Sequence, residues 1–132
     1  MPFLLHVRAM PADIDGLGHV SNLVYLRWVL EAALAHSTAK GLDEAAYVSR
    51  GQGWVVRRHE IDYLRAAFDG DELTVETRVA TVLAASSTRR TRILRKGEVL
   101  ARAATDWAYV DYRTGRPMRI PADVKGCFEL EP

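Results

Sequence analysis

Ten residues near the amino end, Asp13-Ile14-Asp15-Gly16-Leu17-Gly18-His19-Val20-Ser21-Asn22, bring together two carboxylates, two glycines, an imidazole and a helix-capping pair. A carboxylate can take a proton from water or attack a carbonyl carbon itself. An imidazole four residues on can orient it, bond to a substrate or steer water. The first N–H groups of a helix carry partial positive charge and can hold a developing oxyanion. The run therefore has the parts for attack on a carbonyl and for holding the charge that results.

Other chemistries fit the chain less well. Asp13-x-Asp15 starts like a calcium loop, but its fifth position is Leu17 and the closing acid would be Val24. A metal held by Asp13, Asp15 and His19 would have no further ligand cluster to complete it. There is no HExxH helix, no GxxxxGK phosphate loop and no GxSxG elbow. The one cysteine, Cys127, has no neighbour that would activate it and reads as a structural thiol.

The elements around the run follow from periodicity. Phe3 to Arg8 reads as a first strand, and Asn22 to about Lys40 as a helix. Leu23, Leu26, Leu30, Ala33 and Leu34 recur at helical spacing, and Val24, Trp28, Val29 and Ala32 add apolar surface elsewhere. Such a helix is expected to be buried on most sides, with Arg27 and Glu31 as a narrow wet stripe. Ser21 or Asn22 can cap its start and Gly41 can end it. Leu42 to Gly53 looks loosely structured. Trp54 to Leu64 is a β-rich strand. Leu73, Val75, Thr77, Val79 and Thr81 alternate with polar neighbours as in a half-buried strand. Thr88–Arg95 and Glu98–Tyr112 flank Lys96-Gly97, a tight hairpin. The tail from Ile120 carries little pattern. Short turns imply antiparallel neighbours, and one helix apolar all round needs a sheet curled about it. The expected class is α+β: a curved antiparallel sheet wrapped around one long central helix.

The chain has 132 residues, 48% of them hydrophobic and 27% charged, with a net charge of +1. That suits one soluble domain, here residues 1–132, with no general attraction to nucleic acid or membrane. The lone cysteine fits a reducing compartment. Without a secretory leader or membrane-length apolar run, the expected location is the cytoplasm. Exposed sheet edges predict pairing between subunits.

Three stretches, in order, resemble the hotdog-fold acyl-CoA thioesterases, specifically the 4-hydroxybenzoyl-CoA thioesterase-like branch. They are Asp15-Gly16-Leu17-Gly18-His19-Val20-Ser21-Asn22 with Tyr25-Leu26, then Ile61 to Ala66 with Phe68-Asp69-Gly70-Asp71, then Asp111 to Pro121. The resemblance implies hydrolysis of an acyl-CoA or acyl carrier protein thioester by a homodimer or homotetramer, with no cofactor beyond the coenzyme A of the substrate and no metal. It makes Asp15 the general base or nucleophile and the amide of Asn22 the carbonyl-polarising donor, with His19 in support. Asp13 becomes a solvated or turn-bonding residue. Gly18, Tyr25 and Tyr63 are expected at the substrate, and Ser87, Arg89 and Arg90 at the coenzyme A phosphates, with Arg57, Arg58 and Arg65 as further candidates. Some branches of the family carry a histidine or tyrosine where Asn22 stands, so position 22 departs from them. Two other activities fit the same fold: a hotdog enoyl-CoA hydratase or dehydratase, and a non-catalytic acyl-CoA binding protein.

Overall fold

The structure, a computed structural model, describes residues 1–132. Strand β1 (Phe3–Arg8) leads through a 3-10 turn (Pro11–Asp13) to helix α1 (Asn22–Ala39) and a short helix α2 (Glu44–Arg50). Strands β2 (Gln52–Tyr63), β3 (Glu72–Val82), β4 (Ser86–Arg95) and β5 (Glu98–Asp111) follow, then helix α3 (Ala122–Lys125). The five strands form one antiparallel sheet in the order β1-β3-β4-β5-β2, curved around α1. No helix is long and apolar enough to cross a membrane.

The meander β3-β4-β5 forms the middle of the sheet because its connections are short. Lys96 and Gly97 both hold positive φ, 49° and 81°, as a two-residue hairpin with the strand twist requires. Leu73, Val75, Thr77 and Val79 face α1 as the alternation predicts. The expected alternation ends there. A register shift between Val79 and Thr81 turns Ala80 inward and leaves Thr81 outside.

The face of α1 that packs on the sheet is not the leucine row. Val24, Tyr25, Trp28, Val29 and Ala32 are buried, whereas Leu23 is 76% and Leu34 48% exposed. Small and flat side chains let the helix axis approach the sheet, and Trp28 fills the space between them. Truncating Trp28 to alanine would cost roughly 3–5 kcal/mol. Leu23 and Leu34 stay largely outside and Leu26 and Leu30 are half-buried, so the helix carries a second apolar face that this chain covers only in part.

The stretch Leu42–Gly53 is ordered as α2 rather than loose. Asp43 caps it by accepting from the Ala46 amide at 2.8 Å, and Tyr47 anchors it beside Tyr109 and Val124. The tail is also specified: α3 buries Val124, and the Met1 ammonium meets Glu131 at 2.8 Å.

Candidate active site

The loop before α1 is a closed miniature hairpin. Ile14 and Val20 pair antiparallel, and the Asp15 amide donates to the His19 carbonyl at 2.9 Å. Gly18, at φ +87°, makes the turn and donates to the Asp15 carbonyl at 3.1 Å. The Val20 N–H ties the loop to the body through the Ala67 carbonyl at 2.8 Å, and the Ser21 N–H closes the loop on the Asp13 carbonyl at 3.0 Å. Gly16 has an ordinary backbone angle, and a Cβ there would meet nothing within 4 Å. Of the two loop glycines, only Gly18 holds a backbone angle that favours glycine.

The two acids are treated differently. Asp13 is 7% exposed and spoken for: Oδ1 accepts from Arg27 Nη2 at 3.0 Å and Oδ2 from the Met10 amide at 2.9 Å. It is turn-bonding, as expected, but ion-paired and buried rather than solvated. Asp15 is half-buried, with one oxygen accepting from the Leu17 amide at 2.9 Å. Its other oxygen lies 3.6 Å from His19 Nδ1, which also approaches the Val20 carbonyl at 3.3 Å. The Asp15 carboxylate keeps lone pairs that nothing in the chain occupies. No three His, Cys, Asp or Glu side chains group as a metal donor set.

Ser21 is the helix cap, its hydroxyl accepting from the Leu23 amide at 3.2 Å. That makes Asn22 the first helical residue. Its N–H is left without a partner, whereas the amides of Leu23, Val24 and Tyr25 all bond to Ser21. A free amide at the positive end of an 18-residue helix is a ready oxyanion donor.

Tyr63, 43% exposed at the end of β2, reaches the Asn22 carbonyl with its hydroxyl at 3.4 Å and stacks on Tyr25 at 5.6 Å between ring centroids. Tyr25 is 2% exposed and donates to the Arg65 carbonyl at 3.1 Å. Burial raises its hydroxyl pKa above the usual value. The structure thus gathers Asp15, Gly18, His19, Asn22 and Tyr63 at one end of α1, with Tyr25 beneath.

It does not gather the basic run. Successive residues of a strand face opposite ways. Ser87 and Arg89 point inward to the C-terminal half of α1, and Arg90 points out to solvent. The Ser87 hydroxyl donates to the Thr81 carbonyl at 2.9 Å. Ser87 and Arg89 therefore lie on one face of β4 and Arg90 on the other. Of the other candidates, Arg58 pairs with Glu60 at 2.7 Å and Arg65 with Glu98 at 3.4 Å, leaving Arg57 without a side-chain partner. The sequence reading missed His36, whose Nδ1 accepts from Arg89 Nη1 at 2.9 Å inside the fold.

The antiparallel sheet curved about one long helix is the hotdog fold, and the chain is a thioester hydrolase of that fold. The chain belongs to the Thioesterase-like superfamily, whose family model matches residues 10–128. It is 30% identical over 127 residues to the acyl-CoA thioesterase YbgC of Haemophilus influenzae, covering 96% of this chain and 93% of that protein. Among solved structures it is similar to 1,4-dihydroxy-2-naphthoyl-CoA thioesterase from Synechocystis, with a TM-score of 0.89, 22% identity and coverage of 96% and 95% of the two chains. It is also similar to the DHNA-CoA thioesterase of Staphylococcus aureus, with a TM-score of 0.84, 22% identity and coverage of 89% and 80%.

Proposed function

We propose that the protein hydrolyses acyl-CoA thioesters, with Asp15 and the Asn22 amide as its working pair. The observation that carries this reading is the unpartnered Asn22 N–H at the helix end that the Asp15 loop leads into, with lone pairs of the Asp15 carboxylate still free. The thioester carbonyl oxygen accepts from Asn22 N–H, which makes the carbon electrophilic and holds the oxyanion after attack. In the base route, Asp15 takes a proton from water and the hydroxide adds to the carbonyl carbon. The tetrahedral intermediate then breaks its C–S bond, and the thiolate leaves as coenzyme A thiol with the proton from Asp15. In the nucleophile route, Asp15 itself adds and expels the thiolate, and water opens the mixed anhydride. His19 steadies the carboxylate in either. Label found in Asp15 after a single turnover in heavy-oxygen water identifies the anhydride route, because the base route cannot place it there.

Thiol release from a panel of aromatic, medium-chain and long-chain acyl-CoAs tests the activity, with acyl carrier protein thioesters and hydration of crotonyl-CoA run beside it. Thiol release without hydration is expected. Hydration without thiol release would support the hydratase instead, and tight binding without turnover the acyl-CoA binder.

The working unit we propose is a homodimer. The twelve-residue strand β2 has one unpaired edge, and α1 leaves Leu23 and Leu34 uncovered. Sedimentation at micromolar concentration is expected to give a species of twice the 14.8 kDa chain mass or a higher even multiple. A 14.8 kDa species would overturn it.

A further inference from the structure

Away from the Asp15 loop, against the C-terminal half of α1, lies an apolar cavity of about 390 Å³. Leu30, Trp54, Val82 and Phe128 supply much of its wall. The size is in the range of small-molecule sites. Leu30 is eight residues beyond Asn22, roughly 12 Å along the helix axis. No residue of the Asp15 loop lines it.

One charge in this wall has no counter-charge within the chain. Arg89 is 7% exposed, yet no acidic side chain neutralises it. Its Nη1 donates to His36 Nδ1 at 2.9 Å and Thr77 Oγ1 at 3.2 Å, both uncharged partners, and its carbon lies 5.8 Å from the Phe128 ring centroid. Nε and Nη2 make no hydrogen bond within the chain and are not sealed from the cavity. Burial pushes the guanidinium down to about 10, which still leaves it charged at neutral pH. A buried cation with no counter-charge is costly unless a ligand completes it.

We infer that this cavity is a binding site for an apolar molecule ending in a carboxylate, held by the free edge of Arg89. Guanidinium nitrogens are donors, so the complement is an acceptor. One guanidinium in an apolar wall suits a monoanion better than a phosphate dianion. A carboxylate takes two parallel N–H bonds from guanidinium, and the remaining surface takes a hydrocarbon body. The carboxylate has two possible sources: a free organic acid, or the far end of a dicarboxylic acyl group whose thioester sits at Asn22. Only the second rests on the proposed thioesterase reading.

Intrinsic fluorescence reports occupancy directly, because Trp54 and Trp107 both line the cavity. Titration with decanoate and decan-1-ol is expected to show at least about tenfold tighter binding of the acid to the wild type. Arg89→Met is expected to abolish that preference while decanol still binds. Equal affinity for acid and alcohol in the wild type, or a preference that survives Arg89→Met, would overturn the site. Should Arg89→Met fail to fold by circular dichroism, Arg89→Gln, which keeps an N–H donor but no charge, carries the test. Loss of the charge must weaken decanoate and spare decanol, and unchanged decanoate affinity overturns it. Hydrolysis of decanedioyl-CoA against decanoyl-CoA then separates the sources. A preference for the diacid that disappears with Arg89 identifies the acyl terminus. A ratio indifferent to Arg89, with decanoate still binding, identifies a free acid. Absence of any hydrolysis would sink the thioesterase reading and leave the binding result standing.

Discussion

Arg27 Nη2 lies 3.0 Å from Oδ1 of Asp13, across fourteen residues of sequence, and that contact divides the labour between the two acids of Asp-Ile-Asp. With Asp13 committed to the helix and to the Met10 amide, Asp15 alone retains a carboxylate free to react. Asp15→Asn is therefore expected to lower hydrolysis by about 10²–10⁴-fold with little change in melting temperature. Asp13→Asn breaks a buried charged contact and is expected to lower the melting temperature by roughly 3–10 °C, while activity per folded molecule persists. Kinetics and thermal melts of both variants check the division; an inert Asp13→Asn beside an active Asp15→Asn would reverse it.

Position 22 allows the backbone donor to be removed almost alone. Asn22 is the first residue of α1, where proline is well accommodated, and Ser21 before it sits at φ −60°, ψ 142°, as a residue before proline prefers. Asn22→Pro should fold, lack the N–H, and lose about 10²–10³-fold in kcat. Asn22→Ala keeps the N–H and should keep most of the rate. If the alanine variant fell as far as the proline variant, the side chain would be the working group.

The two glycines of the loop should respond unequally. Gly18→Ala forces an L side chain to φ +87° and is expected to cost about 1 kcal/mol, read as a lower melting temperature. Gly16→Ala meets no atom within 4 Å and should melt like the wild type. A rise in KM for Gly16→Ala at unchanged stability would mark Gly16 as a place where substrate approaches the backbone.

Acid should weaken the fold through His36. Burial, followed by the charges of Arg89 and Lys40, pushes its pKa down to about 4, against the weaker pull of Glu131. In the unfolded chain it titrates near 6.5, so between these values the unfolded state binds the extra proton. Stability from His36 is complete above pH 6.5 and is lost as pH falls toward 4, by about 1–3 kcal/mol. Thermal melts from pH 7 to 4.5 should show that slope in the wild type and a flatter one in His36→Gln, which keeps an acceptor for Arg89.

Much of this molecule is legible along the chain, and the exceptions have physical causes. Strand parity, Lys96-Gly97 and the polar cap of α1 are local signals, so the meander and the helix boundaries follow from them. α2 has seven residues and two flanking glycines, too little pattern to outweigh a loop, although Asp43 and Gly51 mark its ends. The inward turn of the leucine-poor face of α1 depends on what the sheet can accept, which periodicity does not carry. Asp15 could be chosen over Asp13 only through family resemblance, because Arg27 is distant in sequence. Arg89 was hidden in a basic run, yet its parity with buried Thr91 and Ile93 was the signal that pointed it inward.

The Lys96-Gly97 hairpin also bears on the order in which the protein acquires activity. Strands β3, β4 and β5 meet through neighbouring residues, so the middle of the sheet can zip early at small entropic cost. β1 must cross about seventy residues to reach β3, and the Asp15 loop hangs from Ala67 through Val20. Refolding chains should therefore protect β4 and β5 amides from exchange before that of Val20. Hydrolysis should emerge only with the last phase, so that a nascent chain holds its fold before it holds its chemistry.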